Sequence, residues 1–311
     1  MSPLNDLLTR AAGHARNRFE RRLARRVTGH APVAVGGVGG SGTRLVARIL
    51  ADLGYAIGGD LNESNDNLTF TLLFKTPLAV DADDRTFDDL WTVFRAAMTG
   101  AGPPPALHTV ADWRDAVRGL AVESRPLHPS DWLRERLTRL ETALAAPAAA
   151  RPRLWAWKEP NTHLVVERLL AREPSLRYVH VVRHGLDVAF SANQNQLEMW
   201  GARVLGRPVA RTPRDSLAYW VATHRRVEAL AEREPGRVLL LNYDAMCREP
   251  KPHLERMLAF LNVRPRLPCR YTAAARVAPP ATLGRHHGHD LTQFDADDLA
   301  YIRHLGFATA R

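Results

Sequence analysis

Short apolar runs alternate with helical segments along most of this 311-residue chain, and this alternation is the strongest constraint on its fold. The runs typical of strands are residues 33–35, 154–158, 177–183 and 237–244. After each run, apolar residues recur at the spacing of a helix that packs on a sheet. Strands that alternate with helices pair in parallel, because each helix carries the chain back to the same edge of the sheet. The sequence therefore predicts an α/β fold with a three-layer parallel sheet, in which helices cover both faces.

The sequence predicts an N-terminal arm and one larger domain that contains an insertion. Residues 1–30 are rich in arginine and have helical spacing, so we expect a basic N-terminal helical arm. Residues 31–311 are expected to form one domain with a helical insertion at about 76–150. Gly-Pro and Ala-Pro stretches at 100–105 and 145–152 are typical of linkers or helix boundaries.

The composition excludes several classes of protein. With 45% hydrophobic and 24% charged residues, the chain is typical of a globular protein rather than a disordered or fibrous one. The formal charge of +10 favours an anionic partner, but no array of aromatic and basic residues indicates a nucleic-acid surface. No apolar run is long enough to span a membrane and the charged N-terminus does not resemble a secretory signal, so we expect a cytoplasmic protein. Two cysteines are too few for a disulfide framework or a cysteine zinc site.

A glycine-rich segment, VAVGGVGGSGTRLVARIL, joins the first strand to the first helix. Glycines allow backbone amides to close around an anion, and the N-terminus of the following helix adds a favourable dipole. A Walker A loop counted from Gly37 to Gly42 would continue with Lys and then Ser or Thr, but Thr43 and Arg44 occupy those positions. A magnesium-dependent NTPase is therefore not expected.

Two other interpretations of this segment remain open. Gly37, Gly39 and Gly42 match the G-x-G-x-x-G fingerprint of dinucleotide-binding folds. Asp60 lies 21 residues after Gly39, near the place of a ribose-binding acid. This pattern predicts an NAD(P)-binding Rossmann oxidoreductase. Alternatively, the turn only connects a strand to a helix and binds nothing.

A third interpretation depends on the SGT sequence within the same segment. Ser41 and Thr43 place hydroxyl groups beside the loop amides, and Arg44 adds a positive charge. This combination suits a phosphate or sulfate group that is bound without a metal ion.

A second polar signature follows the third strand. Arg183 ends that strand, Asp187 is expected to cap the next helix, and Ser191 lies about one turn further on. Ligands of open α/β sheets bind at the carboxyl ends of the strands, so Arg183 and Ser191 can converge there on one anion.

Together, the SGT loop and the R-x-x-x-D-x-x-x-S pattern resemble the nucleotide-binding motifs of the PAPS-dependent sulfotransferases, where PAPS is 3′-phosphoadenosine 5′-phosphosulfate. The resemblance covers residues 31–75 and 153–305. It implies a P-loop-like nucleotide-binding topology, PAPS as cosubstrate, no metal ion, and sulfuryl transfer to a hydroxyl or amine of a small-molecule or carbohydrate acceptor. The cofactor-binding residues that it implies are Gly39, Gly40, Ser41, Gly42, Thr43, Arg44, Arg183, Ser191, Gly284 and Arg285.

The sequence departs from the family pattern at Gly40, since members usually carry Lys or Arg immediately before the serine. Arg44 or Lys158 is expected to compensate for the missing charge. The departure also leaves open a non-catalytic descendant that only binds the nucleotide.

Three residues are catalytic candidates by the same resemblance. Lys158 ends the second strand within WKEPNTH and, as one of only three lysines in the chain, is expected to reach the sulfonate. The acceptor must lose a proton, so a general base is also expected. Glu63, in the loop after the first helix, and His163, after WKEP, are alternatives for that base, with Glu63 preferred. His180, inside a strand, is expected to be a core histidine.

The C-terminal segment ATLGRHHGHD resembles the family loop that closes on the adenosine 3′-phosphate, through Gly284 and Arg285. An exposed basic turn is the alternative interpretation. A zinc site of His286, His287 and His289 is not favoured, because closely spaced loop histidines need further ligands and no partner motif is present.

Overall fold

The computed structural model describes residues 32–100, 130–146, 152, 154–263 and 277–309. The arm expected at residues 1–30 lies outside this set. The described strands are β1 (Val33–Gly37), β2 (Ala156–Lys158), β3 (Arg177–Val182) and β4 (Val238–Asn242). They form one sheet in the order β2-β1-β3-β4, and every pair of neighbours is parallel. The predicted strands and the parallel α/β class are confirmed.

Helices connect the strands and cover the sheet. In chain order they are α1 (Thr43–Asp52), α2 (Leu68–Phe74), α3 (Pro77–Asp81), α4 (Asp84–Thr99), α5 (Ser130–Ala145), α6 (Val166–Arg172), α7 (Gly185–Ala189), α8 (Asn195–Leu205), α9 (Pro213–Arg233), α10 (Tyr243–Arg248), α11 (Pro250–Phe260) and α12 (Ala296–His304). A 3₁₀ helix, Pro160–Leu164, follows β2. None of the described helices combines the length and the apolar character that a membrane crossing requires.

Different helices cover the two faces of the sheet, because successive strand residues point to opposite sides. Val33 and Val35 pack with α1, α10 and α11, whereas Ala34 packs with α2, α4, α5 and α6. Both faces are thereby buried, which explains why the strands are continuous apolar runs in the sequence. With a layer of helices on each face, the three-layer arrangement is confirmed.

The described part of the segment 76–150 consists of α3, α4 and α5. Aromatic rings join it to the sheet. Trp157 of β2 lies 5.6 Å from Phe70 of α2, 5.8 Å from Trp91 and 5.3 Å from Phe94 of α4, measured between ring centroids. These separations lie in the range favoured by aromatic pairs. The helices fit the expected insertion, whose boundaries remain predictions.

A further apolar cluster supports the carboxyl edge of the sheet. It joins α7, α8, α9 and α12 and includes Val38 and Val182, the residues at the ends of β1 and β3. Trp200 of α8 and Trp220 of α9 are buried within it. The loops that follow β1 and β3 therefore rest on a packed base.

Candidate active site

The strand order predicts a crevice at the carboxyl ends of β1 and β3. α1, which follows β1, packs on one face of the sheet, while α9, which lies further along the chain from β3, packs partly on the other. The chain segments that follow β1 and β3 therefore run to opposite faces of the sheet. Open α/β sheets bind ligands at the place where neighbouring connections diverge in this way. Both polar signatures of the sequence start at this edge: the glycine loop (residues 37–42) and the segment that begins at Arg183.

Two glycines give the glycine loop a backbone that other residues rarely adopt. Gly40 has φ +82° and Gly42 has φ +90°. A Cβ atom at Gly42 would also lie 2.2 Å from the ring of Tyr243, the first residue of α10. The loop therefore approaches α10 more closely than any side chain at position 42 would allow.

Ser41 is a buried polar residue in this loop. Its side chain is 2% exposed, and Oγ has no hydrogen-bond partner among the residues that the structure describes. Leaving a buried hydroxyl unpaired costs about 1–3 kcal/mol. A phosphate or sulfate oxygen at this position would accept a hydrogen bond from the Ser41 hydroxyl and remove that cost.

Some amides of the glycine loop are already used inside the protein. Gly39 N donates to Oε1 of Gln196 at 3.1 Å, and Ser41 N donates to Val38 O at 3.1 Å. The amides of Thr43 and Arg44, at the start of α1, have no acceptor within the helix. The geometry therefore favours an anion at the N-terminus of α1 rather than one held by every amide of the loop.

Arg183 contacts Gly40, the position at which family members usually carry a basic residue. Its Nη1 donates to Gly40 O at 3.2 Å. A Cβ atom at Gly40 would meet nothing within 4 Å, but the positive φ disfavours any L-residue there. Arg183 thus brings positive charge into direct contact with the glycine loop.

The same guanidinium binds the C-terminal loop (residues 281–290). Nη2 donates to the backbone oxygen and to Oγ1 of Thr282, the latter at 2.9 Å, and lies 3.5 Å from the carboxylate of Asp187. Arg183 is 7% exposed, and its Nε has no partner within the described part of the chain. One side chain therefore joins the glycine loop, α7 and the C-terminal loop, and keeps a donor for a ligand.

Asp187 does not cap the helix after β3, contrary to the sequence prediction. The cap of α7 is His184, whose Nδ1 accepts from Leu186 N at 3.2 Å. Asp187 lies one turn later and accepts from Gly284 N at 2.8 Å, from His286 N at 3.1 Å and from His286 Nδ1 at 2.7 Å. Burial by itself would raise the pKa of Asp187, but the hydrogen bonds from His286 and Gly284 lower it below its usual range.

The C-terminal loop is attached to the second signature and is not a free basic turn. Besides the bonds to the Asp187 carboxylate, Nη1 of Arg285 donates to Asp187 O at 3.3 Å. The ring of His286 stacks on His184 with centroids 4.1 Å apart. The structure therefore brings Gly284 and Arg285 beside Arg183.

Ser191 lies just beyond α7 and is partly exposed. Its Oγ accepts from Asn193 N at 3.2 Å, which closes a short turn. Asn193 in turn lies near the glycine loop, since a Cβ atom at Gly39 would be 3.8 Å from its Nδ2. The structure thus places Ser191 in a segment next to the loop, while its convergence with Arg183 on one anion remains a prediction.

Lys158 lies at the carboxyl end of β2, opposite Val35 of β1. Its side chain is 4% exposed, and Nζ donates to Ser64 O at 3.1 Å and forms an ion pair with Asp66. Arg44 reaches the same segment, since its Nη2 donates to Ser64 Oγ. The two cations expected to compensate for Gly40 are therefore both bound to one short loop.

The short loop that binds Lys158 and Arg44 comprises residues 62–66, and the side chain of Asn62 holds it together by hydrogen bonds. Oδ1 of Asn62 accepts from the amides of Ser64 at 2.9 Å and Asp66 at 2.8 Å, and its Nδ2 donates to Asp66 Oδ2 at 2.8 Å. Glu63 is exposed, and its carboxylate makes no hydrogen bond or ion pair with the described residues. The loop therefore holds a free carboxylate next to the residues that bind Lys158.

His163 does not reach the crevice. It is 1% exposed, its ring lies 6.2 Å from that of His180, and its Nε2 lies 3.4 Å from the Tyr219 hydroxyl. Burial lowers the pKa of His163 well below 6.5, and the charge of Arg226 lowers it further. His180 is also fully buried, in the way expected of a core histidine. Of the two expected bases, only Glu63 is exposed to solvent.

Asp60 does not occupy the position of a ribose-binding acid. Its carboxylate pairs with Arg136 and with Arg139 of α5, the latter at 3.2 Å. None of the described strands ends at Asp60, and a ribose hydroxyl would have to displace two guanidinium groups. The Rossmann interpretation therefore lacks its acidic residue.

Three residues of the site carried no clear signal in the sequence. Gln196 binds the glycine loop, Thr282 binds Arg183, and Asp66 pairs with Lys158. Each contact joins positions that are 92 to 157 residues apart. Only the folded chain brings them together.

Comparison with known proteins gives a family and several similar structures. The model of the Sulfotransferase family matches residues 32–265. The sulfotransferase domain of the Synechococcus PCC 7002 olefin synthase is 16% identical, with 90% of this chain and 95% of that chain covered and a TM-score of 0.46. Sulfotransferase STF1 from Mycobacterium tuberculosis H37Rv is 14% identical, with coverage of 84% and 75% and a TM-score of 0.40. Retinol dehydratase, solved with retinol and PAP, is 12% identical, with coverage of 92% and 81% and a TM-score of 0.35. No curated protein matches.

The family match spans most of the chain. It contains the glycine loop, the 62–66 loop, Lys158 and the segment from Arg183 to Gln196, whereas the C-terminal loop lies beyond its end. The chain belongs to the sulfotransferase family.

Proposed function

We propose that this protein uses PAPS as sulfuryl donor and transfers the group to a hydroxyl or amine of a small-molecule or carbohydrate acceptor. Family membership supports the transferase class. The polar groups at the carboxyl edge of the sheet support the choice of donor, because they suit two separate anionic groups without a metal ion.

The observation that carries the proposal is the unpaired hydroxyl of Ser41 beside the N-terminus of α1. Ser41 Oγ is buried and lacks a partner among the described residues, and the first amides of α1 have no helical acceptor. Together they suit a 5′-phosphosulfate. The buried Nε of Arg183, at the end of β3, is likewise unpaired within the described ranges and suits the 3′-phosphate of the same nucleotide.

Sulfuryl transfer forms one bond to sulfur and breaks another. The acceptor oxygen or nitrogen attacks sulfur while the bond from sulfur to the 5′-phosphate oxygen breaks. The acceptor proton passes to a base, and the products are the sulfated acceptor and adenosine 3′,5′-bisphosphate. Negative charge develops on the leaving phosphate, so donors aimed at that oxygen lower the barrier.

Lys158 is the residue best placed to stabilise that charge. Its ammonium lies at the carboxyl end of β2 and is shared between Ser64 O and Asp66. An ammonium carries three N–H donors, and these two contacts use only two of them. Lys158 therefore keeps one donor for the sulfuryl group while it stays bound to the 62–66 loop.

Glu63 is the proposed general base. Its carboxylate is exposed and unpaired within the described part of the chain, one residue before Ser64, which contacts both Lys158 and Arg44. A carboxylate in this position can accept the acceptor proton as the bond to sulfur forms.

A cavity of about 470 Å³ beside the 62–66 loop supports a small acceptor. It lies between α4 and α5, and Met98, Thr138, Thr142 and Asn67 contribute to its wall together with the ion pair of Asp60 and Arg139. Small-molecule sites usually have a volume of about 300–1,000 Å³ and combine apolar walls with a few polar groups. Hydroxyl and amide side chains suit an acceptor that itself carries hydroxyl groups.

Calorimetric titration of the donor site tests the proposal. The wild-type protein is expected to bind adenosine 3′,5′-bisphosphate more tightly than 5′-AMP, and Arg183→Ala and Ser191→Ala are expected to weaken binding of the bisphosphate. Arg203→Ala, which removes only a surface contact with Asp81, is the control. Equal affinity for the bisphosphate and 5′-AMP would contradict the assignment, as would the absence of transfer from radiolabelled PAPS to any mixture of hydroxyl and amine acceptors.

A further inference from the structure

The glycine loop is bound by one side chain that lies outside both nucleotide-binding motifs. Gln196, the second residue of α8, is 7% exposed. Its Nε2 donates to Gly37 O at 3.3 Å, and its Oε1 accepts from Gly39 N at 3.1 Å. One amide group therefore satisfies a carbonyl oxygen and an N–H two residues apart in the loop.

This pair of bonds requires a group that is both a donor and an acceptor. A carboxylate would accept from Gly39 N but repel Gly37 O, and a thioether would replace neither bond. The amide of Gln196 therefore fixes the course of the loop at the point where the chain leaves β1.

The position of Ser41 depends on this course. A Cβ atom at Gly37 would lie 2.5 Å from Ser41 Oγ, so the two residues are already in close contact. A shift of the Gly37 carbonyl or the Gly39 amide would move the unpaired hydroxyl. Through its bonds to Gly37 and Gly39, Gln196 thus influences the position of Ser41.

Gln196 also belongs to the segment that carries the second signature. Between Ser191 and Gln196, Gln194 donates from Nε2 to Ser191 O at 2.7 Å. Gln196 therefore follows the expected 3′-phosphate residues closely in the chain and itself contacts the glycine loop.

We propose that Gln196 is a positioning residue that shapes the glycine loop for the 5′-phosphosulfate. This inference rests on the proposed function and extends it. It assigns to α8 the role of positioning the glycine loop relative to the segment that carries Arg183 and Ser191. Gln196 also occupies the Gly39 amide, so that amide is not free to bind the anion.

The test compares two nucleotides that differ only in the 5′-phosphate. Affinities for adenosine 3′,5′-bisphosphate and 3′-AMP are measured by calorimetry for the wild type, Gln196→Met and Gln196→Glu. Since two hydrogen bonds shape the loop, Gln196→Met is expected to weaken bisphosphate binding about tenfold or more. Binding of 3′-AMP is expected to change little, so the ratio of the affinity for the bisphosphate to the affinity for 3′-AMP falls. Gln196→Glu is expected to lower this ratio as well, because the added carboxylate repels the 5′-phosphate.

Gln194→Met is the matched control, since Gln194 is equally buried and donates to backbone oxygens of α7 and Ser191 without contacting the glycine loop. It is expected to lower stability while the ratio of the two affinities stays at the wild-type value. An unchanged ratio in both Gln196 variants, or equal losses for both nucleotides, would overturn the inference. A wild-type protein without preference for the bisphosphate would instead refute the proposed donor site itself.

Discussion

Nη1 of Arg183 and the carbonyl oxygen of Gly40 form a 3.2 Å hydrogen bond although 143 residues separate them in the chain. The contact joins the two signatures found in the sequence. It also places a guanidinium beside the one residue of the SGT loop that departs from the family pattern.

Arg183→Lys is expected to weaken binding of adenosine 3′,5′-bisphosphate at least tenfold and to lower the free energy of unfolding by about 1–3 kcal/mol. A lysine keeps the charge, but its single ammonium cannot reach Gly40 O and Thr282 in the way that the planar guanidinium does. Calorimetry and urea denaturation measure the two effects. Arg203→Lys, on the surface, is the control, and wild-type affinity in Arg183→Lys would show that charge alone is sufficient.

Gly42→Ala is expected to destabilise the fold by about 2–5 kcal/mol, because a left-handed backbone conformation and a steric clash act together. Gly42 has φ +90°, and an added Cβ would lie 2.2 Å from the Tyr243 ring. The matched control is Gly206→Ala: Gly206 has φ +65° but nothing within 4 Å of an added Cβ, so only the backbone cost of about 1–2 kcal/mol is expected. If urea denaturation showed similar losses in the free energy of unfolding for both variants, the Tyr243 ring would have to move aside at no cost.

Lys158→Met is expected to lower the rate of sulfuryl transfer about 10²–10³-fold, the usual effect of removing a donor that stabilises developing charge. Affinity for adenosine 3′,5′-bisphosphate is expected to fall as well, because that product keeps the 5′-phosphate whose charge Lys158 stabilises. Lys251→Met, on the exposed side of α11, serves as the matched lysine control. Transfer from labelled PAPS at the wild-type rate in Lys158→Met would exclude Lys158 from the reaction.

The buried histidines predict a loss of stability in mild acid. Burial lowers the pKa of His224 to about 4, and it lowers those of His163 and His180 well below 6.5. The unfolded chain protonates these residues near pH 6.5, so between pH 6.5 and about 4 the unfolded state binds more protons than the folded state. The free energy of unfolding is therefore highest above pH 6.5 and falls below it, by about 1.4 kcal/mol per pH unit for each histidine.

Urea denaturation at a series of pH values between 7.5 and 5 measures this slope. His224→Gln is expected to reduce it, because this variant removes one of these three buried imidazoles. A slope that is identical in the wild type and His224→Gln would show that the buried cluster takes no part in the acid transition.

The sequence already contained the local features of the fold. Largely apolar runs such as residues 177–182 form strands that are buried on both faces, and glycines at positions 40 and 42 supply the positive φ angles of the loop after β1. The order of these elements implied a parallel sheet, and the position of each polar signature directly after a strand implied the edge on which the site lies. These features depend on residues close together in the chain, so they can be read without the tertiary structure.

Partnerships between distant residues could not be read in this way. Asp187 has the spacing of a helix cap, but its carboxylate binds Gly284 and His286 because the C-terminal loop folds back over α7. His163 lies shortly after β2, where the sequence predicted a general base, yet packing places its ring in the core.

The sequence alone therefore determined which elements form and which edge of the sheet carries the polar groups, since both follow from local periodicity and strand order. Tertiary structure alone decided that Gln196 binds the glycine loop, that Asp66 pairs with Lys158 and that Arg183 joins three segments. Such contacts depend on how helices and loops pack in space, and no spacing within the chain encodes them.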